Sequence, residues 1–313
     1  MKKSSLTIVG NRYPGKVIRP ATYQFSKRER MYISSEIDAI RSHELVVLSI
    51  PVYSRAINPP EVRGLATRFA RLERPEDINR FAGECGLLGL LWAPIAPDEN
   101  PHDFPVYGTP LWEPLSFWQY HIKNVRRLML LYQALSRWKR GYDVEIDGKL
   151  LNVKCFENEI LRLNFLQWYD GEPTGIQLGD IEEDNTSAHL PAAFGGSFAD
   201  TINLERLDEY SLAALVLAVY LRQYLHGGIN LDFSRIIPAK DALLGFRFEE
   251  TRSTPYLLAA IYYDLWELVT DNRSVIRCEY CGLPLEKIGR RRFCDNACKQ
   301  AAYRKRHNKK GFG

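Results

Sequence analysis

Four cysteines close to the end of this 313-residue chain constrain its folding more than any other feature. Cys278-Glu279-Tyr280-Cys281-Gly282 opens the pattern, twelve residues separate Cys281 from Cys294, and Cys294-Asp295-Asn296-Ala297-Cys298 closes it. Two thiol pairs with such short internal spacing converge on one cation, and in a reducing compartment a paired set is a metal site before it is a disulfide framework. Between Cys278 and Cys281 the chain must turn tightly, and Gly282 supplies the positive φ where it reverses. Leu283 to Phe293 has the length of a hairpin turning near Lys287 to Gly289. Asp295 or Asn296 then caps a helix whose first turn carries Cys298, its sulfur aimed back at Cys294. Knuckle, hairpin and ligand-bearing helix start follow the logic of a treble-clef finger. Four thiolates at about 2.3 Å complete a tetrahedron and leave no position for water. The expected cofactor is therefore one structural Zn2+ held by Cys278, Cys281, Cys294 and Cys298.

The charge is distributed unevenly around this module. The whole chain has a formal charge of +4, yet residues 286–313 hold ten Lys and Arg against Glu286 and Asp295, leaving 32 basic and 36 acidic residues elsewhere. A cationic end on a mildly acidic body points to a polyanion bound at that end. On a helical wheel after Asp295, Cys298, Ala301, Ala302 and Lys305 share one side. Lys299, Tyr303, Arg306 and Lys310 form a stripe on another, flanked by Gln300, Arg304 and His307. Arg and Lys neutralise phosphates with release of counterions, Arg and Gln read purine edges, and Tyr stacks or donates to phosphate. Arg290, Arg291 and Arg292 on the predicted hairpin add further phosphate contacts.

The preceding residues are read as a mainly α body with minor β structure, residues 1–272, followed by the finger module at 273–313. Short β-rich runs at Leu6–Val9 and Val46–Ile50 flank a helical piece from Lys27 to Ser42. Helices are expected from Pro59 to about Leu72, from Pro75 to Cys85 with Gly86 as the C-terminal cap, and from Pro114 to Trp138. In the last, Leu115, Trp118, Ile122, Val125, Leu128, Met129, Tyr132 and Leu135 recur at three- and four-residue steps. Residues 93–114 read as a loop, 142–168 as a strand pair with a helix, and 170–203 as a long loop that can subdivide the body. Helices are expected again over Asp208–Leu225 and Pro255–Thr270, with a short strand at Ala242–Phe248. Cys85 and Cys155 read as small core residues.

No apolar run reaches the roughly 20 residues of a membrane span, and the N-terminal apolar run is broken by Gly10, Asn11 and Arg12 before it attains signal-peptide length. A cytoplasmic protein without a membrane partner is expected. His43, His102, His121, His189 and His226 are scattered, with no Ser-His-Asp set, phosphate-cradling glycine loop or His-Glu-x-x-His run beside them. No catalytic residue and no enzymatic activity are assigned. A finger nuclease would need a His between residues 282 and 293, and there is none.

Arg277-Cys-Glu-Tyr-Cys-Gly-Leu followed by Arg290-Arg-Arg-Phe-Cys-Asp-Asn-Ala-Cys-Lys-Gln-Ala-Ala-Tyr-Arg-Lys-Arg resembles the C-terminal finger of bacterial proteins related to the CGNR zinc-finger group. The four ligands match at Cys278, Cys281, Cys294 and Cys298, and Tyr303-Arg304 stands where that group has Tyr-Arg. The Cys-Gly-Asn-Arg tetrad is absent, since Lys299-Gln300-Ala301 follows Cys298. The resemblance covers about 35 residues and implies a helical N-terminal region with a role in transcription regulation. The expected partner is double-stranded DNA, with a homodimer formed through the body. The alternative is a zinc-stabilised module that binds RNA or another protein.

Overall fold

A computed structural model describes residues 6–51, 55–91, 106–138, 224–238 and 246–308, with short strands between 145 and 203 and helical positions at 214, 217–218 and 221–222. The chain divides into two compact units, Met1–Val125 with Gly227–Glu267, and Arg126–His226 with Leu268–Gly313.

In the first unit, Lys16–Ile18, Val46–Leu48 and Trp112–Pro114 form an antiparallel sheet with Val46–Leu48 in the centre. All three residues of that central strand are buried, as expected of a strand covered on both faces. Helices Lys27–Ile33 and Ile37–Arg41 contribute Ile33 and Ile40 to the same core as Ile18, Val46, Leu48 and Trp112. Ser26 and Glu29 make a reciprocal capping box that starts the first of these helices. The expected single helix from 27 to 42 is thus two short ones separated by a turn at 34–36.

Pro75–Cys85 is a helix with the predicted bounds, and Gly86 at φ 80° ends it. The helix expected from Pro59 shortens to Leu65–Phe69. Leu115–Trp138 runs for 24 residues, and Trp118, Ile122, Val125, Leu128, Met129 and Leu135 along it are buried, which is the apolar stripe expected of it. Phe69, Phe81 and Trp118 meet with ring centroids 5.7 to 6.3 Å apart.

Glu113 is wholly buried in this unit. Its carboxylate accepts the backbone N–H groups of Leu88, Gly89 and Leu90 at 3.0, 2.7 and 3.0 Å and the indole N–H of Trp118 at 2.8 Å. Burial pushes its carboxyl above the ordinary carboxylate range, against those four donors. Nearby, Arg12 donates to the carbonyls of Cys85, Leu87 and Pro255 and so fixes three separate stretches of backbone.

A mainly α body does not describe the molecule. Asn230–Pro238 and Phe246–Thr254 are nine-residue antiparallel strands, and Leu6–Ile8 adds parallel to the second of them. Further strand pairs occur at Glu145–Ile146 with Lys149–Leu150, Ile160–Leu163 with Ile176–Asp180, and Ser187–Ala188 with Ile202–Asn203; the first three of these strands lie within 142–168, where a strand pair with a helix was expected, and the last three within 170–203, where a long loop was expected. The fold is mixed α/β. The physical reason is compositional. Phe246-Arg-Phe-Glu-Glu-Thr-Arg-Ser-Thr254 is bonded along its length by backbone groups but is rich in charge after Phe248, so the apolar run behind the strand expected over Ala242–Phe248 reaches only its first three residues. Most of the helix expected over 208–225, and Cys155, lie outside the described residues, whereas Cys85 is buried as expected. Among the described residues no helix is long and apolar enough to cross a membrane.

Candidate metal centre and its cationic face

The approach to the cysteines is set by the end of helix Leu257–Thr270. Asn272 takes a left-handed φ of 53°, the Arg273 N–H donates to the Leu268 carbonyl at 2.9 Å, and the Asn272 N–H donates to Val269 at 3.1 Å. This is a Schellman termination with asparagine in the place usually held by glycine. It delivers the chain into strand Val275–Arg277, which pairs antiparallel with Pro284–Glu286. An ion pair between Arg273 and Glu286 at 3.0 Å, both largely buried, and a Lys287 N–H bond to the Ser274 carbonyl at 2.7 Å close the base of this hairpin.

The hairpin therefore encloses the first cysteine pair instead of lying between the two pairs, and residues 287–293 form turns, not a hairpin over Leu283–Phe293. Pairing across the knuckle is favoured because Cys278 N–H donates to the Leu283 carbonyl and Gly282 N–H to the Cys278 carbonyl, each at 2.9 Å. Gly282 has the positive φ, 76°, that this reversal requires. Asp295 caps helix Asn296–Asn308, its Oδ1 accepting the Cys298 N–H at 2.8 Å.

These elements bring Cys278, Cys281, Cys294 and Cys298 together with all four sulfurs within 4.8 Å of one another. Cys281 and Cys294 are 3.7 Å apart, and Cys294 and Cys298 are 3.2 Å apart. A tetrahedron of thiolates around zinc has sulfur–sulfur edges of about 3.8 Å, and a disulfide bond is about 2.05 Å long. The cluster fits a metal and is not a disulfide. Cys278 and Cys294 are buried with Leu285 beneath them, Cys298 is half-buried, and Cys281 is exposed.

The protonation pattern agrees with a cation-binding role. Burial raises the Cys278 thiol, but the backbone N–H groups of Cys281, Tyr280 and Cys294 and the Cys281 side chain outweigh it and bring it down to about 6. Cys298 is pushed up to about 11 by burial and by the neighbouring sulfurs Cys281 and Cys278, against a hydrogen bond with Cys294. One thiolate forms readily and the last resists. Four adjacent negative sulfurs need a positive ion among them, and the metal is what deprotonates the set. The cluster can hold one metal ion, and an all-sulfur tetrahedral donor set suits Zn2+.

The basic residues divide into two groups. Lys299, Tyr303, Arg304 and Arg306 line one open groove with Phe293, Asn296 and Gln300, while Arg290, Arg291, Arg292 and Lys299 line an adjoining depression. All but Arg291 and Phe293 of these are exposed. Tyr303 stacks on His307, with ring centroids 3.8 Å apart. Arg291, however, turns inward and donates to the carbonyls of Phe293 and Cys294, which makes it a brace of the metal loop. Arg292 and Arg306 both contact the carboxylate of Glu279. Lys310 lies outside the described residues. The role of Glu279 escaped sequence reasoning because its partners stand 13 and 27 positions away, a separation that carries no local pattern.

No family model, curated protein or solved structure matches the chain, so the resemblance to CGNR-related fingers rests on the tail residues themselves.

Proposed function

We propose that this chain is a zinc-stabilised DNA-binding protein, a transcription regulator whose body, residues 1–272, senses a ligand or mediates dimerisation while residues 273–313 contact the duplex. The observation that carries this reading is that one short helix serves both purposes. Its start supplies Cys298 to the sulfur cluster, and its exposed side presents Lys299, Tyr303, Arg304 and Arg306 along a single groove. A rigid metal-anchored helix holds these cations in register with a phosphate backbone, and closed four-thiolate coordination makes the zinc structural.

The test is fluorescence anisotropy of the full chain on labelled duplex DNA over a salt series. Affinity is expected to fall steeply with salt. Lys299→Ala combined with Arg304→Ala is expected to weaken binding about tenfold or more and to reduce the salt slope by about two, with metal content unchanged. Affinity indifferent to this double substitution would refute the reading. Phe293 and Tyr303 in the groove also offer rings on which unpaired bases could stack, which favours RNA as the second reading; single-stranded competitors that displace duplex would select it.

A further inference from the structure

The side chain of Glu279, projecting from the knuckle between Cys278 and Cys281, lies between two guanidinium groups. One carboxylate oxygen meets Arg292 Nε and the other lies 3.4 Å from Arg306 Nη2. The backbone adds to this, since the Glu279 N–H donates to the Arg292 carbonyl at 3.1 Å. Two guanidiniums converging on a pair of anionic oxygens is also the arrangement that binds the two free oxygens of a phosphodiester. We infer that Arg292 and Arg306 form a phosphate-binding site which the free protein fills with its own Glu279, and which a nucleic-acid phosphate takes over on binding. This rests on the nucleic-acid reading above and names the part of the surface that changes partner.

Three observations favour exchange over a permanent structural pair. The side chains of Arg292 and Arg306 are 62% and 61% exposed and that of Glu279 is 33% exposed, so the ion pairs are solvated, screened and easily given up. Both arginines lie beside the other exposed cations. Arg306 lines the groove with Lys299 and Arg304, and Arg292 lines the depression that shares Lys299 with it. Finally, the module already has a separate brace, since Arg291 holds the carbonyls of Phe293 and Cys294. Fold maintenance therefore does not require Arg292 and Arg306 to stay with Glu279. In the free state the carboxylate cancels part of the local positive field and keeps the two guanidiniums preorganised. A polyanion that offers several phosphates at once outcompetes a single carboxylate, whereas a stray anion does not.

A double-mutant cycle on the full chain tests this, with a labelled duplex of about 20 base pairs, salt between about 50 and 200 mM, and zinc content measured for each variant. Glu279→Gln is expected to bind about three- to tenfold tighter than wild type, and Arg292→Ala/Arg306→Ala to bind more weakly. Adding Glu279→Gln to that arginine-deficient variant is expected to give no gain. An equal gain in both backgrounds would mean a general charge effect, and a loss or no change in the wild-type background would mean that Glu279 only positions the arginines; either result overturns the inference while leaving DNA binding intact. Wild-type protein that does not bind duplex would overturn the nucleic-acid reading and this site with it. If Glu279→Gln loses metal, Glu279→Ser replaces it in the same cycle.

Discussion

Glu113 illustrates what one buried charge demands of its surroundings. Its carboxylate is fully enclosed and held by three consecutive backbone N–H groups and one indole. Glu113→Ala would leave those donors buried and unpaired, and is expected to destabilise the protein by about 3–5 kcal/mol, with Glu113→Gln falling in between, as read by urea unfolding. The sequence offers no hint of this, because Glu113 sits in a proline-rich stretch and its partners come from residues 88–90 and 118. The cysteines are the opposite case. Each pair is separated by only two or three residues, so local spacing already dictates that the sulfurs converge, and the structure brings all four together. The cationic side chains fall between these cases. A helical wheel puts Lys299, Tyr303 and Arg306 on one side correctly, but it cannot reveal that Arg291 folds inward or that Glu279 reaches Arg292 and Arg306, since those contacts depend on how the loop closes.

At the level of elements, legibility follows the length and polarity of the pattern. Pro75–Cys85 and Leu115–Trp138 were readable because their apolar residues repeat with helical period over several turns. The strand Phe246–Thr254 was read only at its start, where it overlaps the strand expected over Ala242–Phe248, because Glu249 to Thr254 are polar and carry no apolar period; its partner Asn230–Pro238 was not read as a strand. The hairpin of the finger was expected in the right module but at the wrong residues, since Leu283–Phe293 looks long enough to turn while the actual pairing brackets the knuckle. The start of helix Lys27–Ile33 carries a prediction of its own. Burial raises the carboxyl of Glu29, but the Ser26 N–H, the Tyr23 hydroxyl and the Lys16 ammonium outweigh this and hold it at about 2, below its ordinary value of 4.5. A group whose folded pKa is depressed stabilises the fold above its unfolded value and loses that contribution as pH falls through the folded one. Glu29 should therefore contribute about 2–3 kcal/mol at neutral pH, lost between about pH 4.5 and 2. Thermal unfolding measured across that window should show Glu29→Gln less stable than wild type at pH 7 and equal to it near pH 2; a constant difference would contradict the assignment.

For the molecule as a whole, a mixed α/β chain of two compact units carries a sulfur cluster beside an exposed cationic groove. Residues 275–308 bury a small apolar set, Val275, Pro284, Leu285 and Ala302 with two of the cysteines, and half-bury Ile276 and Phe293, too little to hold so polar a segment in one conformation unaided. A bound cation closes that gap by tying the knuckle to the helix start, and every function proposed for the groove depends on it. Elemental analysis of the purified full chain, paired with titration of accessible thiols, tests this most directly. One zinc per chain is expected, lost in a Cys281→Ser/Cys294→Ser variant, with thiols at 278, 281, 294 and 298 that become reactive only after chelation. A chain that carries no stoichiometric metal while its groove still binds duplex DNA, or one whose four sulfurs are joined as disulfides, would contradict it.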